Sequence, residues 1–157
     1  MHQEIERKYL VKNQDWKQNI EKQYNIKQGY FTTSANDSTI RVRIKDGIGY
    51  VTVKGGRVGF SRAEYEYEIP IEDVREMLKI CRQPIISKIR HEVRGSDNML
   101  WEIDVFQGEN EGLTVAEIEL ESEEQTFVKP KWVGREVTLI KKYYNSRLVN
   151  APFSKWK

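Results

Sequence analysis

Charged residues recur at every second position along most of this chain, with large apolar or aromatic residues between them, and that period belongs to strands rather than helices. Glu4, Glu6 and Lys8 share one face of a first strand, with Ile5 on the other. Arg41, Arg43 and Lys45 alternate with Ile40, Val42 and Ile44, and Lys54 follows Tyr50-Val51-Thr52-Val53 after an Asp46-Gly47 pair that reads as a hairpin turn. Glu64, Glu66 and Glu68 alternate with Tyr65, Tyr67 and Ile69, and Lys88 and Arg90 flank Ile89. Glu102 and Asp104 alternate with Trp101, Ile103 and Val105, and Glu117 and Glu119 with Ile118 and Leu120.

Helical spacing is scarcer. It covers about 15–23, where Trp16 and Ile20 stand four apart, and 71–82, where Val74, Met77, Leu78 and Cys81 form an apolar stripe after Pro70. The capping-box form Ser122-Glu123-Glu124-Gln125 predicts a short helix, and 140–149 a last one ending near Asn150 and Pro152. With 157 residues, no repeat and no linker rich in Pro, Gly or Ser, residues 1–157 are expected to form a single domain.

Lys and Arg number 26 against 24 Asp and Glu, so bulk attraction to nucleic acid or an anionic membrane is not expected. The lone Cys81 excludes an internal disulfide framework and a four-cysteine zinc site, and it reads as a buried thiol in a reducing compartment. The polar start and the lack of a run near the roughly 20 apolar residues of a membrane span predict a cytoplasmic protein. His2 and His91 read as surface residues, and Trp16, Trp101, Trp132 and Trp156 as packing rather than base-stacking residues.

An outer sheet face wetted by solvent also carries charge at alternate positions. Here, however, the charges segregate by strand, and the intervening face is apolar enough to need its own partner. If the charged faces turned inward around a barrel, the lumen would gather Glu4, Glu6, Glu64, Glu66, Glu102, Asp104, Glu117 and Glu119 with Lys8, Arg41, Arg43, Lys54, Lys88 and Arg90. Such an interior needs water and ligands as charge partners. The bases suit a phosphate chain, which Arg binds through two nitrogens at once. The carboxylates suit hard divalent cations such as Mg²⁺ or Mn²⁺. Both together are what phosphoryl transfer to water requires.

The segment Glu4-Ile5-Glu6-Arg7-Lys8 resembles the Glu-x-Glu-x-Lys signature of the CYTH superfamily, the triphosphate tunnel metalloenzymes. The likeness continues in order through Gln28-Gly29-Tyr30, Arg41-x-Arg43, Thr52-Val53-Lys54, Glu64-x-Glu66, Lys88-x-Arg90, Glu102-x-Asp104, Glu117-x-Glu119, Trp132-x-Gly134 and Glu136-Val137-Thr138. It is strongest to short bacterial members that act as inorganic triphosphatases. The resemblance implies a mainly β (α+β) fold, an eight-stranded antiparallel β-barrel forming a tunnel with helices outside, and often a homodimer.

By the same resemblance, Glu4, Glu6, Glu117 and Glu119 hold the catalytic metal, and Glu64, Glu66, Glu102 and Asp104 place a second metal or the attacking water. Lys8, Arg41, Arg43, Lys54, Lys88, Arg90 and Lys142 bind the phosphate chain. Lys142 and Tyr143 belong to a segment that plugs or lines one mouth, and Tyr30 to a lid. Two departures are Ile140-Lys141-Lys142, where relatives often carry Asp-Lys-Arg, and Thr39, where thiamine-triphosphate hydrolysing relatives carry Trp. The implied activity is Mg²⁺- or Mn²⁺-dependent hydrolysis of tripolyphosphate, with nucleoside triphosphates as further substrates. The alternatives are an adenylate cyclase of the class IV type, an RNA 5′-triphosphatase, and a triphosphate-binding module without turnover.

Overall fold

In the computed structural model, which describes residues 2–32 and 38–156, the alternating segments form antiparallel strands. They are β1 (Gln3–Val11), β2 (Ile20–Tyr30), β3 (Thr39–Lys45), β4 (Ile48–Lys54), β5 (Ser61–Ile69), β6 (Ile86–Arg94), β7 (Leu100–Phe106), β8 (Thr114–Glu119) and β9 (Val133–Glu136), with helices α1 (Ile71–Ile80) and α2 (Asn145–Asn150). Neighbours follow the order β5-β4-β3-β2-β6-β7-β8-β1, and Gln3–Ile5 of β1 pair back onto Ser61–Ala63 of β5. Eight strands therefore close into a barrel without a free edge, and β9 adds to β1 beside the seam. The β3–β4 hairpin turns through Asp46 (φ 53°) and Gly47 (φ 76°), the two left-handed positions that a type I′ turn needs.

Because the inward face is charged, the apolar cores lie outside the barrel and at one end of it. One outer core joins Ile5, Tyr9, Trp101, Ile103, Ala116 and Ile118, the residues of opposite parity to the charges, under Trp16 and Trp132. A second forms where α1 lays Val74, Leu78 and Cys81 against Val42. Gly49 permits that approach, since a Cβ there would stand 2.8 Å from both the Ile69 carbonyl oxygen and Val74 Cγ2. The third core closes one end of the lumen: Ile86, Phe106 and Val115, in register with the inward-facing charges, pack on Val137, Tyr143, Leu148 and Val149 from the C-terminal segment.

Several sequence expectations change. The segment expected as a helix over 15–23 is a short 3₁₀ turn, Asp15–Asn19, that buries Trp16, and from Ile20 the chain is already β2. Ser122–Gln125 forms a turn rather than a helix: the Gln125 amide donates to the Ser122 carbonyl, and its side-chain oxygen accepts from the Glu121 amide. Residues 140–149 divide into a 3₁₀ turn (Lys141–Tyr143) and α2. His91 is buried, its ring 4.9 Å from that of Trp16. Among the described residues no helix is long and apolar enough to cross a membrane.

Candidate functional site: a charged lumen

The register sets the charges face to face. Glu6 pairs with Glu119, Lys8 with Glu117, Glu117 with Glu102 and Arg90 with Asp104; on the other wall Arg41 pairs with Thr52, Thr52 with Glu66 and Lys54 with Glu64. Inward positions of neighbouring strands thus become rungs of a lumen, with a cavity of about 190 Å³. Among the described residues seven carboxylates line it (Glu4, Glu6, Glu64, Glu66, Glu102, Glu117 and Glu119), and nine bases meet them. Six of those bases are Lys8, Arg41, Arg43, Lys54, Lys88 and Arg90; Lys45, Arg57 and Arg62 complete the set.

Two predicted residues lie elsewhere. Asp104 has inward parity but is fully buried beneath the bases, where it accepts from Arg90 through both oxygens (2.7 and 2.8 Å) and from Lys88 (2.7 Å). Its carboxylate is spent on holding these bases, which argues against a metal ligand. Lys142 is exposed, with its ammonium 4.5 Å from the centre of the Trp156 ring, so it does not join the phosphate-binding bases. The plug acts through other atoms: Asn145 Oδ1 accepts from Lys88 (2.9 Å) and Gln28 (3.1 Å), and the Tyr143 carbonyl from Lys8 (3.3 Å). Ile140, at the first departure from the family pattern, packs on the plug's apolar cluster.

Electrostatics divide the carboxylates by role. Glu66 accepts from Arg43 (3.1 Å), Arg41 (3.3 Å) and Thr52 (2.7 Å); burial opposes its charge, but these partners hold its pKa below the ordinary value. Glu66 therefore aims the Arg41-Arg43 pair. The Nε atoms of both arginines are buried without an acceptor among the described residues, so each guanidinium has a donor in reserve. Burial, together with the positive charges of Arg41 and Arg90, pushes Arg43 down to about 10, the response of a cation short of anions.

At the other end, burial raises the Glu4 pKa, but Lys54 (3.1 Å) and Arg62 (3.3 Å) outweigh it and leave Glu4 ionised. Glu117 is likewise held low against burial by Lys8, Arg90 and Lys88. Glu6 has the opposite balance: burial and the charges of Glu117 and Glu4 push it up to about 8. Burial and the neighbouring Glu4 and Glu64 also raise Glu119.

This end fits a hard divalent cation by donor chemistry, because Glu4, Glu6, Glu117 and Glu119 supply only oxygen and crowd one another's charge. Among the described residues no three such groups converge as a metal cluster. Glu4 is turned toward Lys54 and Arg62, and Glu117 toward Lys8 at 3.9 Å. A cation held here would have to replace these ion pairs.

Arg57, Tyr144, Asn145 and Ser146 line the lumen and escaped the sequence reading. None belongs to an alternating strand, so period gave no signal for them. Arg62 and Lys45, which also line the lumen, continue the strand alternation of β5 and β3.

A closed β-barrel filled with opposed carboxylates and bases defines a charged tunnel. The CYTH domain family matches residues 2–149, and the chain belongs to that family. It is 44% identical to the inorganic triphosphatase of Acetivibrio thermocellus over 158 aligned positions, which cover 100% of this chain and 99% of the relative. It is 33% identical to the inorganic triphosphatase of Nitrosomonas europaea, covering 92% and 95%. The crystal structure of the inorganic triphosphatase NE1496 superposes with a TM-score of 0.68 at 32% identity, over 93% of each chain.

Proposed function

We propose that this protein hydrolyses inorganic tripolyphosphate, releasing phosphate, with Mg²⁺ or Mn²⁺ held at the Glu4-Glu6-Glu117-Glu119 end of the lumen. The observation that carries the reading is the polarity of the tunnel. Arginines with unspent donors line one stretch, and mutually crowded carboxylates stand beside them. A linear polyanion satisfies the first and a cation the second, and only a ligand pair with both charges satisfies the whole.

In this reading Arg41, Arg43, Lys54, Lys88 and Arg90 hold the chain in line, with Glu66 and Asp104 fixing the aim of their partners. Lys8, between Glu117 and the Tyr143 carbonyl, presents its ammonium next to the carboxylate end. The bound cation supplies charge neutralisation to the reacting phosphate. Burial and mutual repulsion raise the pKa values of Glu6 and Glu119, so these two gain most from a bound cation, and Glu64 or Glu102, outside that set, is left to orient the attacking water. Glu64 and Glu102 stand near Lys54 (3.2 Å) and Arg90 (3.3 Å) respectively.

An inorganic chain suits the site better than a nucleotide. The lining aromatic rings are Tyr30 and Tyr144: the Tyr30 hydroxyl accepts from Gln28, and the Tyr144 ring faces Lys8 and Arg57. Among the described lining residues no Trp or Phe offers a ring to a base. The test is phosphate release from tripolyphosphate and ATP side by side, with Mg²⁺, with Mn²⁺ and with chelator. Metal-dependent release favouring tripolyphosphate supports the proposal; cyclic AMP formation, or tight binding without release, replaces it with the cyclase or the binding module.

A further inference from the structure

The β4–β5 loop, residues 55–60, places one more base at the lumen. Arg57 lines the cavity with its side chain only 13% exposed. Its guanidinium lies over the Tyr144 ring, 5.4 Å from the centre. Nη1 donates to the Phe60 carbonyl at 3.5 Å, the limit of a hydrogen bond; Nη2 stands 4.0 Å from Glu6 Oε1, and Nε is buried without an acceptor among the described residues. By contrast, Arg41, Arg43, Lys54, Arg62, Lys88 and Arg90 each have a carboxylate oxygen within 3.3 Å.

A guanidinium has five donors in a fixed fork and cannot shed its charge, so leaving it enclosed and poorly accepted is costly. The missing acceptors belong on the lumen side. The loop is pinned at both ends: the Gly55 amide donates to the Ala63 carbonyl (2.9 Å), the Phe60 amide to Glu123 (2.9 Å), and the Glu6 amide to the Phe60 carbonyl (3.4 Å). Arg57 therefore reaches inward by side-chain rotation, with no rearrangement of the loop. Its place beside Glu6 puts it next to the crowded carboxylates, whereas Arg41 and Arg43 are held by Glu66.

Resting on the triphosphatase reading, we propose that Arg57 is a substrate-contacting residue that turns from the face of Tyr144 to clamp the reacting, terminal phosphate of the chain through Nε and Nη2. It supplies at that phosphate the forked positive charge that Arg41 and Arg43 supply further along. Tyr144 parks the guanidinium when the lumen is empty.

The test compares wild type, Arg57→Ala and Arg57→Lys in two assays. In steady-state hydrolysis of tripolyphosphate with Mg²⁺, Arg57→Ala lowers kcat/KM about 10- to 100-fold, the span of a charge-assisted hydrogen bond. Arg57→Lys, which keeps charge without the fork, recovers part of that loss. In titration calorimetry with tripolyphosphate and chelator, where no turnover occurs, Arg57→Ala raises Kd about tenfold or more. The melting temperature stays within about 2 °C of wild type, because the loop is pinned by backbone and Glu123 contacts rather than by Arg57.

Binding and hydrolysis within about twofold of wild type in Arg57→Ala overturn the proposal. So do equal losses in both variants accompanied by a fall in melting temperature, which mark a structural role. Wild-type protein that binds tripolyphosphate without hydrolysing it sinks the hydrolase reading alone, since the calorimetric comparison still decides Arg57.

Discussion

Replacing Asp104 by Asn exposes how the lumen holds its bases. Asp104 is fully buried and receives three charged hydrogen bonds, two from Arg90 and one from Lys88. Removing one partner from such a buried cluster costs about 3–5 kcal/mol, because the remaining charge is stranded away from water. Lys88 limits the damage. Burial, outweighing the pull of Asp104, already lowers it to about 8, and without the carboxylate it falls further and becomes neutral. Arg90 has no such escape, so the lower part of the range applies. At roughly 2–4 °C per kcal/mol for a chain of this size, the melting temperature of Asp104→Asn falls by about 6–12 °C at pH 8.

The pH dependence adds a signature. A base whose folded pKa is depressed stabilises the fold less as pH falls through its unfolded value, and the loss ends at the folded pKa. In wild type that decline runs from the unfolded lysine value down to about 8 and then stops. In Asp104→Asn it continues below pH 8. Denaturant titrations at pH 8, 7 and 6 measure both the offset and the extra slope. A melting temperature within about 2 °C of wild type, with parallel pH curves, would refute the view that Asp104 is the counter-ion on which Arg90 and Lys88 depend.

Glu4→Gln leaves the barrel folded but lowers tripolyphosphate turnover by orders of magnitude, since the amide cannot supply charge to a metal; unchanged kcat would remove Glu4 from the cation site. Lys8→Ala raises KM for tripolyphosphate, and an unaltered KM with normal kcat excludes Lys8 as a phosphate contact. Gly49→Ala forces a methyl to within 2.8 Å of the Ile69 carbonyl oxygen and Val74, costing about 1–3 kcal/mol and lowering the melting temperature by circular dichroism; no change would mean that α1 is not tightly seated on β4. The Cys81 thiol, buried and raised in pKa by that burial, reacts with a disulfide reagent only as the protein unfolds; rapid labelling of the native protein contradicts the α1 packing.

Much of the barrel was legible in the alternation, because a strand shows a charged inner face at every second residue. β2 escaped for the same reason: its inward positions, Tyr24, Ile26, Gln28 and Tyr30, are uncharged. Trp16 and Ile20 mimicked helix spacing, yet Trp16 belongs to a 3₁₀ turn and Ile20 opens a strand. β9 spans four residues, too few to display a period. Asp104 looked like its neighbour Glu102 in sequence. The difference between them is depth: one is walled in by Arg90 and Lys88, the other faces the cavity.

The sequence by itself determined which residues share a face, which strands are acidic or basic, and that the apolar partner of each charged face must be supplied from outside. Those properties are local, set by the two-residue period of a strand. Closure, the plug and the roles of individual charges were decided only by tertiary structure. The same alternation serves an open sheet, and nothing local states that Gln3 pairs with Ala63 or that Leu148 packs on the ring of apolar residues at the lumen's end. Whether a carboxylate holds a base, crowds another acid or stays free for a cation depends on distances across strands far apart in sequence, and electrostatic energy in a desolvated lumen follows those distances.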